Sequence, residues 1–399
     1  MATPTKRCQT TFSIFCLAII VVFKLVGASI ASAQTGSNVH QSGVRDFVEY
    51  WSASRLLLNG GNPYAPNELL VLQQSVGWPG ATALLMWNPP WTFPLTLPFA
   101  LLNFPTAQFV WLLVQLLTIL ICTRLLATLY GGSSESCRIE WGVALSFVPT
   151  AFVLIIGQIS PMVLAGITGF LVLTSQRKWL AAGAALAVVL IKPHLLYLFW
   201  LALLLWLCRE GHWRMVLGAM IALIPVYFDR AIYGQYFQLY NLEGILQPFD
   251  QATPTLRNIF PFLLGRSEHW LQSLPSVIGI TWLVYYWQRL KPHWQWSEEL
   301  PLVLLVSVTT SFFAWTYDHV VFLPALIEVT AWIKRTRLPW YRSWAVMGYL
   351  AVNAVHAIMR FWFAEEFGYI WLAPALLLCY VVYRCEKQSK SVARLTALA

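Results

Sequence analysis

Apolar residues fall in thirteen blocks, at about 12–31, 84–102, 106–128, 141–156, 159–174, 179–191, 194–208, 214–228, 271–288, 300–316, 319–333, 343–361 and 368–383. Polar and basic residues gather in the gaps. A helix needs about 20 apolar residues to cross a hydrocarbon layer, and the strict alternation of a membrane barrel is missing. The pattern predicts an all-α polytopic membrane protein. The gaps are short except at 32–83 and 229–270, and no internal repeat or linker sets off a soluble domain. Residues 1–399 therefore read as a single transmembrane domain with two long loops.

Basic residues orient this pattern. Lys6, Arg7, Arg177, Lys178, Arg209, Arg214, Arg289, Lys291, Lys334, Arg335, Arg337, Arg342, Arg384, Lys387, Lys390 and Arg394 fall at one set of block ends. Arg45, Arg55, Lys192, Arg230, Arg257, Arg266 and Arg360 fall at the other, sixteen against seven. By the positive-inside rule the richer side is cytoplasmic, so both termini are expected inside and the number of spans is even. One block then does not cross. The candidates are 84–102, interrupted by Pro89, Pro90, Pro94 and Pro98, and the pair of blocks meeting at Gly157-Gln158, because broken backbone at membrane depth must line a cavity or be covered by protein. The expectation is about twelve spans plus a re-entrant or broken segment. The first block reads as a retained helix rather than a signal peptide: Ala31-Ser32-Ala33 resembles a cleavage site, but the block exceeds the usual apolar core and contains Lys24.

Composition fits this picture. Hydrophobic residues make up 58% and charged residues 11% of the chain, and mean hydropathy is +0.61, against about 25% charged in a soluble domain. The net charge of +9 is dispersed between apolar blocks, which argues against a nucleic-acid partner. The seven cysteines show neither a disulfide framework nor zinc spacing.

Candidate chemistry lies on the less basic side. The segment from Arg45 to Leu58 predicts an interfacial helix, with Phe47, Trp51 and Leu58 on one side and Asp46, Glu49, Tyr50 and Ala53 on the adjoining face. Lys192-Pro193-His194, Trp315-Thr316-Tyr317-Asp318-His319 and Gly157-Gln158 mark breaks at the same level, and Arg257 lies in the second long loop. Ionisable residues at the edge of apolar blocks are costly and are functional candidates, although a lone lysine there can simply snorkel. Glu365-Glu366 reads as a solvated tight turn.

Taken in order, Asp46-Phe47…Tyr50…Ala53, Gly60-Gly61-Asn62-Pro63-Tyr64, Asn88-Pro89-Pro90, Gly157-Gln158, Ala182-Gly183 through Lys192-Pro193, and Asp318-His319 resemble glycosyltransferase family 87. The resemblance implies a GT-C type fold and an alpha-mannosyltransferase-like enzyme of the cell membrane that uses a polyprenyl-phosphate sugar donor and a lipid or glycan acceptor. It also implies that Asp46 is the catalytic base, with Lys192 and His319 in the active-site cavity. Glu49, Tyr50, Gln158, Arg257 and Asp318 complete the expected substrate-binding set.

Residue chemistry is compatible with that assignment. An aspartate is ionised at neutral pH and can take the proton of an acceptor hydroxyl. A leaving phosphate is already a stable anion, so the second acid that glycosidases use is unnecessary, whereas cations such as Lys192 and Arg257 would stabilise the departing charge. A single displacement inverts the anomeric centre. No Asp-X-Asp pair or nucleotide-binding glycine loop occurs, so neither a metal nor another cofactor is expected. Glu49, three residues from Asp46, is the rival base. A transporter or flippase would show similar broken helices and buried charges, and a noncatalytic assembly factor would tolerate loss of Asp46.

Overall fold

Proline and glycine cut the apolar blocks into helices of unequal length. A computed structural model describes residues 46–131, 137–227, 230–241, 253–265, 268–336, 339, 343–363 and 365–398. The block at 12–31, with Lys6, Arg7, Lys24 and Arg45, lies outside them, as do parts of the second long loop. The described residues form seventeen α-helices and no strand.

In chain order these are α1 (Asp46–Leu58), α2 (Pro66–Ser75), α3 (Phe93–Ala100), α4 (Phe104–Leu129), α5 (Arg138–Ser146), α6 (Val148–Ile156), α7 (Ser160–Ser175), α8 (Trp179–Val189), α9 (Tyr197–Glu210) and α10 (Arg214–Tyr227). They continue with α11 (Arg230–Leu239), α12 (Ile259–Leu264), α13 (His269–Leu290), α14 (Trp296–Thr310), α15 (Leu323–Thr336), α16 (Trp344–Trp362) and α17 (Leu372–Leu398). Short 3₁₀ turns lead into α3, α9 and α15 at Pro90–Thr92, Pro193–Leu196 and Thr316–Phe322.

Among the described residues, three helical segments are long and apolar enough to cross a membrane: Phe104–Leu129, Pro193–Glu210 and Glu366–Ser389. A fourth exists if α5 and α6, bent by 67° at their junction, count as one span. The bend follows from Phe147, extended just before Val148-Pro149, where proline has no N–H to continue α5. Asn353 of α16 fills the break, accepting from Val148 N at 3.0 Å and donating to the Ser146 carbonyl at 2.8 Å. The block at 84–102 becomes irregular chain, a 3₁₀ turn and the eight-residue α3, about 12 Å long at 1.5 Å per residue. It is too short to cross.

Where helices pack closely, small residues allow it. A Cβ on Gly183 of α8 would stand 1.8 Å from the Met215 carbonyl oxygen, and one on Gly218 of α10 would stand 1.9 Å from that of Leu180. The two backbones touch, as small residues permit between membrane helices. On α4, Phe109, Leu113, Leu117 and Ile121 are exposed while Trp111, Gln115, Ile119 and Cys122 are buried, an outward apolar stripe suited to lipid.

Buried acids divide between the two ends of the bundle. Glu299 near the start of α14 pairs with Arg384 at 3.1 Å, Glu140 near the start of α5 with Lys334 at 2.6 Å, and Glu328 of α15 with Lys387 at 3.0 Å. These cations belong to the richer basic set of the sequence. At the opposite end of α14 and α15 lie Lys192, Asp318, Arg360 and Glu366, around the cavity described next.

Candidate functional site

A cavity of about 1100 Å³ opens where α1, the α6–α7 break, the end of α8 and the Thr316–Phe322 turn meet. Asp46, Glu49, Lys192, Asp318 and Glu366 supply charged groups, Gln158, Asn67 and Asn88 amides, and Trp87, Trp91, Phe152, Phe313, Tyr236 and Tyr240 part of its aromatic wall.

Helix α1 is a buried helix, with residues 47 to 54 covered on all sides. Phe47 stacks between Phe104 and Trp111, with ring centroids 6.0 and 5.2 Å away, and the Arg55 guanidinium donates to the Ala100 carbonyl at 2.7 Å. Phe47, Trp51 and Leu58 share one side of this helix as the spacing predicts, but only Phe47 and Trp51 are buried, Leu58 at its end being exposed. The packing fixes Asp46 at the first turn, facing the cavity.

The α6–α7 break is built on Gly157, whose φ of +75° favours glycine and ends α6. A Cβ there would meet that of Phe47 at 3.0 Å. Trp111 Nε1 holds the Gly157 carbonyl at 2.8 Å, and Gln115 Nε2 holds that of Gln158 at 2.7 Å. The side chain of Gln158 donates through Nε2 to Asp46 Oδ2 at 2.8 Å and accepts at Oε1 from Tyr50 Oη at 2.7 Å.

Lys192 lies just past the end of α8 at Val189, in the non-helical backbone that the residue before a proline prefers. Its ammonium is buried and reaches Asp318 Oδ1 at 2.7 Å, Ser160 Oγ at 3.1 Å and Gln158 Oε1 at 3.2 Å. Three acceptors match the three hydrogens of an ammonium, so Lys192 is a structural node as well as a charge. Asp318 in turn accepts from Ser160 Oγ at 2.6 Å and from the Trp315 N–H at 3.0 Å.

The structure thus brings Asp46, Glu49, Tyr50, Gln158, Lys192 and Asp318 together. His319 is fully buried behind the wall, stacked on Phe322 with centroids 5.1 Å apart, and among the described residues neither ring nitrogen has a hydrogen-bond partner. Arg257 does not line the cavity. Its Nε donates to Gln272 Oε1 at 3.0 Å, and its guanidinium lies 4.0 Å from the Phe312 ring centroid. The sequence expected both among the substrate contacts; burial of one and pairing of the other hold them beside the chamber.

Glu366 is the residue the sequence missed. It lines the cavity and accepts from Thr316 N at 3.1 Å, Thr316 Oγ1 at 2.6 Å and Arg360 Nη2 at 2.6 Å. Arg360 also sits 3.6 Å from the Phe152 ring centroid. Its six-residue spacing from an acid in a tight turn was the one available signal. Ser160 was missed for a similar reason, since a serine after a helix break reads as an ordinary helix start.

Asp46 and Glu49 differ in their surroundings. Burial first, and then the Asp46 carboxylate one turn away, push the Glu49 carboxyl well above the usual range. The folded protein therefore keeps a proton that the unfolded chain releases near pH ~4.3. The associated stability is fully present below that pH and lost as pH rises through the folded-state value. In Glu49→Gln that proton cannot leave, so between about pH 5 and 9 the wild-type melting temperature should fall more than that of the variant. Parallel melting curves would contradict a protonated Glu49.

Long apolar helices around a chamber lined by charged and aromatic side chains mark a membrane protein. Residues 87–311 match the model of glycosyltransferase family 87, more than half of the chain, and the protein belongs to that family of glycosyltransferases. No curated protein and no solved structure matches it. The matched span includes Gln158 and Lys192 but stops short of Asp46 on one side and Asp318 on the other. The fold hydrogen-bonds both aspartates to matched residues, which ties them to the family's common region.

Proposed function

We propose that this glycosyltransferase moves a hexose or pentose, mannose favoured, from a polyprenyl-phosphate donor to a hydroxyl of a lipid or glycan acceptor at the outer face of the cell membrane. The observation that carries this reading is the Asp46 carboxylate in the cavity wall, oriented by the Gln158 amide at 2.8 Å. The cavity of about 1100 Å³ has room for a sugar ring and the end of an acceptor, being slightly larger than the usual range of roughly 300–1,000 Å³ for small-molecule sites. Its apolar wall suits the first isoprene units of a lipid carrier.

In this reaction Asp46 takes the proton of the acceptor hydroxyl as that oxygen attacks the anomeric carbon. The bond from that carbon to the phosphate oxygen breaks, and its electron pair leaves with the polyprenyl phosphate. Lys192 is the nearest cation to stabilise it. Burial and the Asp46 carboxylate favour the neutral form of Glu49, which makes it the weaker base. The chain is read as one GT-C type domain of about twelve spans plus a broken segment, with both termini cytoplasmic and the loops at 32–83 and 229–270 outside.

The stereochemistry supplies a test. With a β-linked polyprenyl-phosphate sugar and purified protein in liposomes, proton NMR of the product should show an α-linkage. A β-linked product would contradict a single displacement at Asp46.

A further inference from the structure

Gln158 occupies an unusual position among the cavity residues. Its Oε1 faces three donors: Tyr50 Oη at 2.7 Å, Lys192 Nζ at 3.2 Å and the Ile159 N–H at 3.2 Å. A flipped amide would set its NH₂ against all three, so the neighbours themselves decide which end is oxygen. Nε2 is then obliged to point at Asp46 Oδ2, 2.8 Å away. The backbone beneath is equally fixed, because α4 holds the Gly157 and Gln158 carbonyls through Trp111 and Gln115. The side chain is 6% exposed, which leaves little of it for a substrate.

We propose that Gln158 is a positioning residue for the transfer reaction: it converts the buried charge of Lys192 and the rigid α4 anchor into one orientation and one ionisation state of Asp46. An N–H donated to a carboxylate favours the charged form, the form a base requires. Lys192 and Asp318 act on Asp46 through this amide as well as through space, and Tyr50 secures it from α1. The inference rests on the reading of Asp46 as the base. The ionisable groups around the cavity that Asp46 faces are Glu49 and Tyr50 on its own helix, Lys192 and His194 after α8, Tyr236 and Tyr240 at α11, Tyr317 and Asp318 in the turn before α15, and Glu366, which pairs with Arg360.

The decisive variant is Gln158→Glu, which can still accept from Tyr50, Lys192 and Ile159 but turns a second oxygen toward Asp46. The pH profile of kcat/KM is measured on full-length protein in liposomes. We expect the acid limb to move up by about one pH unit or more, from the lost donor and the added like charge, with the loss of activity greatest on the acid side and recovery as pH rises. A milder shift in the same direction is expected for Tyr50→Phe, which removes one of the three donors. An unmoved acid limb with only KM raised would make Gln158 a substrate contact and overturn the proposal. If Gln158→Glu fails to fold, an unmoved limb in Tyr50→Phe overturns it instead. Asp46→Asn separates the two levels: full activity in that variant defeats the base assignment, whereas an inactive Asp46→Asn beside an unshifted Gln158→Glu defeats positioning alone.

Discussion

Asp46→Asn should leave a folded protein that binds donor and turns over about 100-fold or more slowly, within the roughly 10²–10⁴ range of general base catalysis. The substitution keeps the side-chain volume, and its amide oxygen can still accept from Gln158 Nε2. Only the capacity to take a proton disappears. Glu49→Gln, measured beside it, should keep most of its turnover, because burial and the Asp46 carboxylate favour the neutral form of the native carboxyl and the amide remains a donor. A dead Glu49→Gln with a near-normal Asp46→Asn would exchange the two roles. Retention of activity in both would make α1 a structural helix.

Lys192→Met should be the most destabilising single change at the site. It leaves the Asp318 carboxylate, 1% exposed on its side chain, with only the Ser160 hydroxyl and the Trp315 N–H. Breaking a buried pair from one side costs about 3–5 kcal/mol, whereas replacing both partners by apolar groups is often close to neutral. Thermal denaturation in detergent should therefore show Lys192→Met strongly destabilised and the double variant Lys192→Met/Asp318→Leu largely recovered. Equal loss in the two would show that Lys192 stabilises through its other contacts. Lys192→Arg should restore activity only in part, since a planar fork does not reproduce three converging bonds from one nitrogen.

Much of this arrangement was legible in the sequence because membrane burial leaves few places for charge. Lys192 and Asp318 stood out at the ends of apolar blocks and Asp46 on a helix of the first long loop, all on the side read as poor in lysine and arginine, and the fold brings all three to one cavity. The break at Gly157-Gln158 was visible for the same reason, and the proline-rich block at 84–102 yields a helix too short to cross.

What hydropathy could not supply was direction. Arg257 and His319 occupy the expected level but turn into protein, one onto Gln272 and the other against Phe322. Glu366 looked like a solvated turn because its partners, Thr316 and Arg360, become neighbours only through packing. The paired role of Lys192 was hidden likewise: a lysine at a block end reads as a free cation until Ser160 and Asp318, 32 and 126 residues away, are folded against it. About twelve spans were expected, and helix length and composition give three to four among the described residues; the block at 141–156 is broken at Pro149, and the block at 12–31 lies outside those residues.

The central claim is that Asp46 drives transfer from a lipid-linked phosphate sugar, and donor consumption tests it most directly. Purified wild-type protein and Asp46→Asn, each in liposomes, would be incubated with a panel of polyprenyl-phosphate sugars and a lipid extract as acceptor, with mass spectrometry following both donor and released polyprenyl phosphate. The account predicts that the wild type consumes one donor, mannosyl favoured, and releases its carrier, while Asp46→Asn does so about 100-fold or more slowly. Equal consumption by the two proteins, or none of any lipid-phosphate donor by an intact wild type, would contradict it.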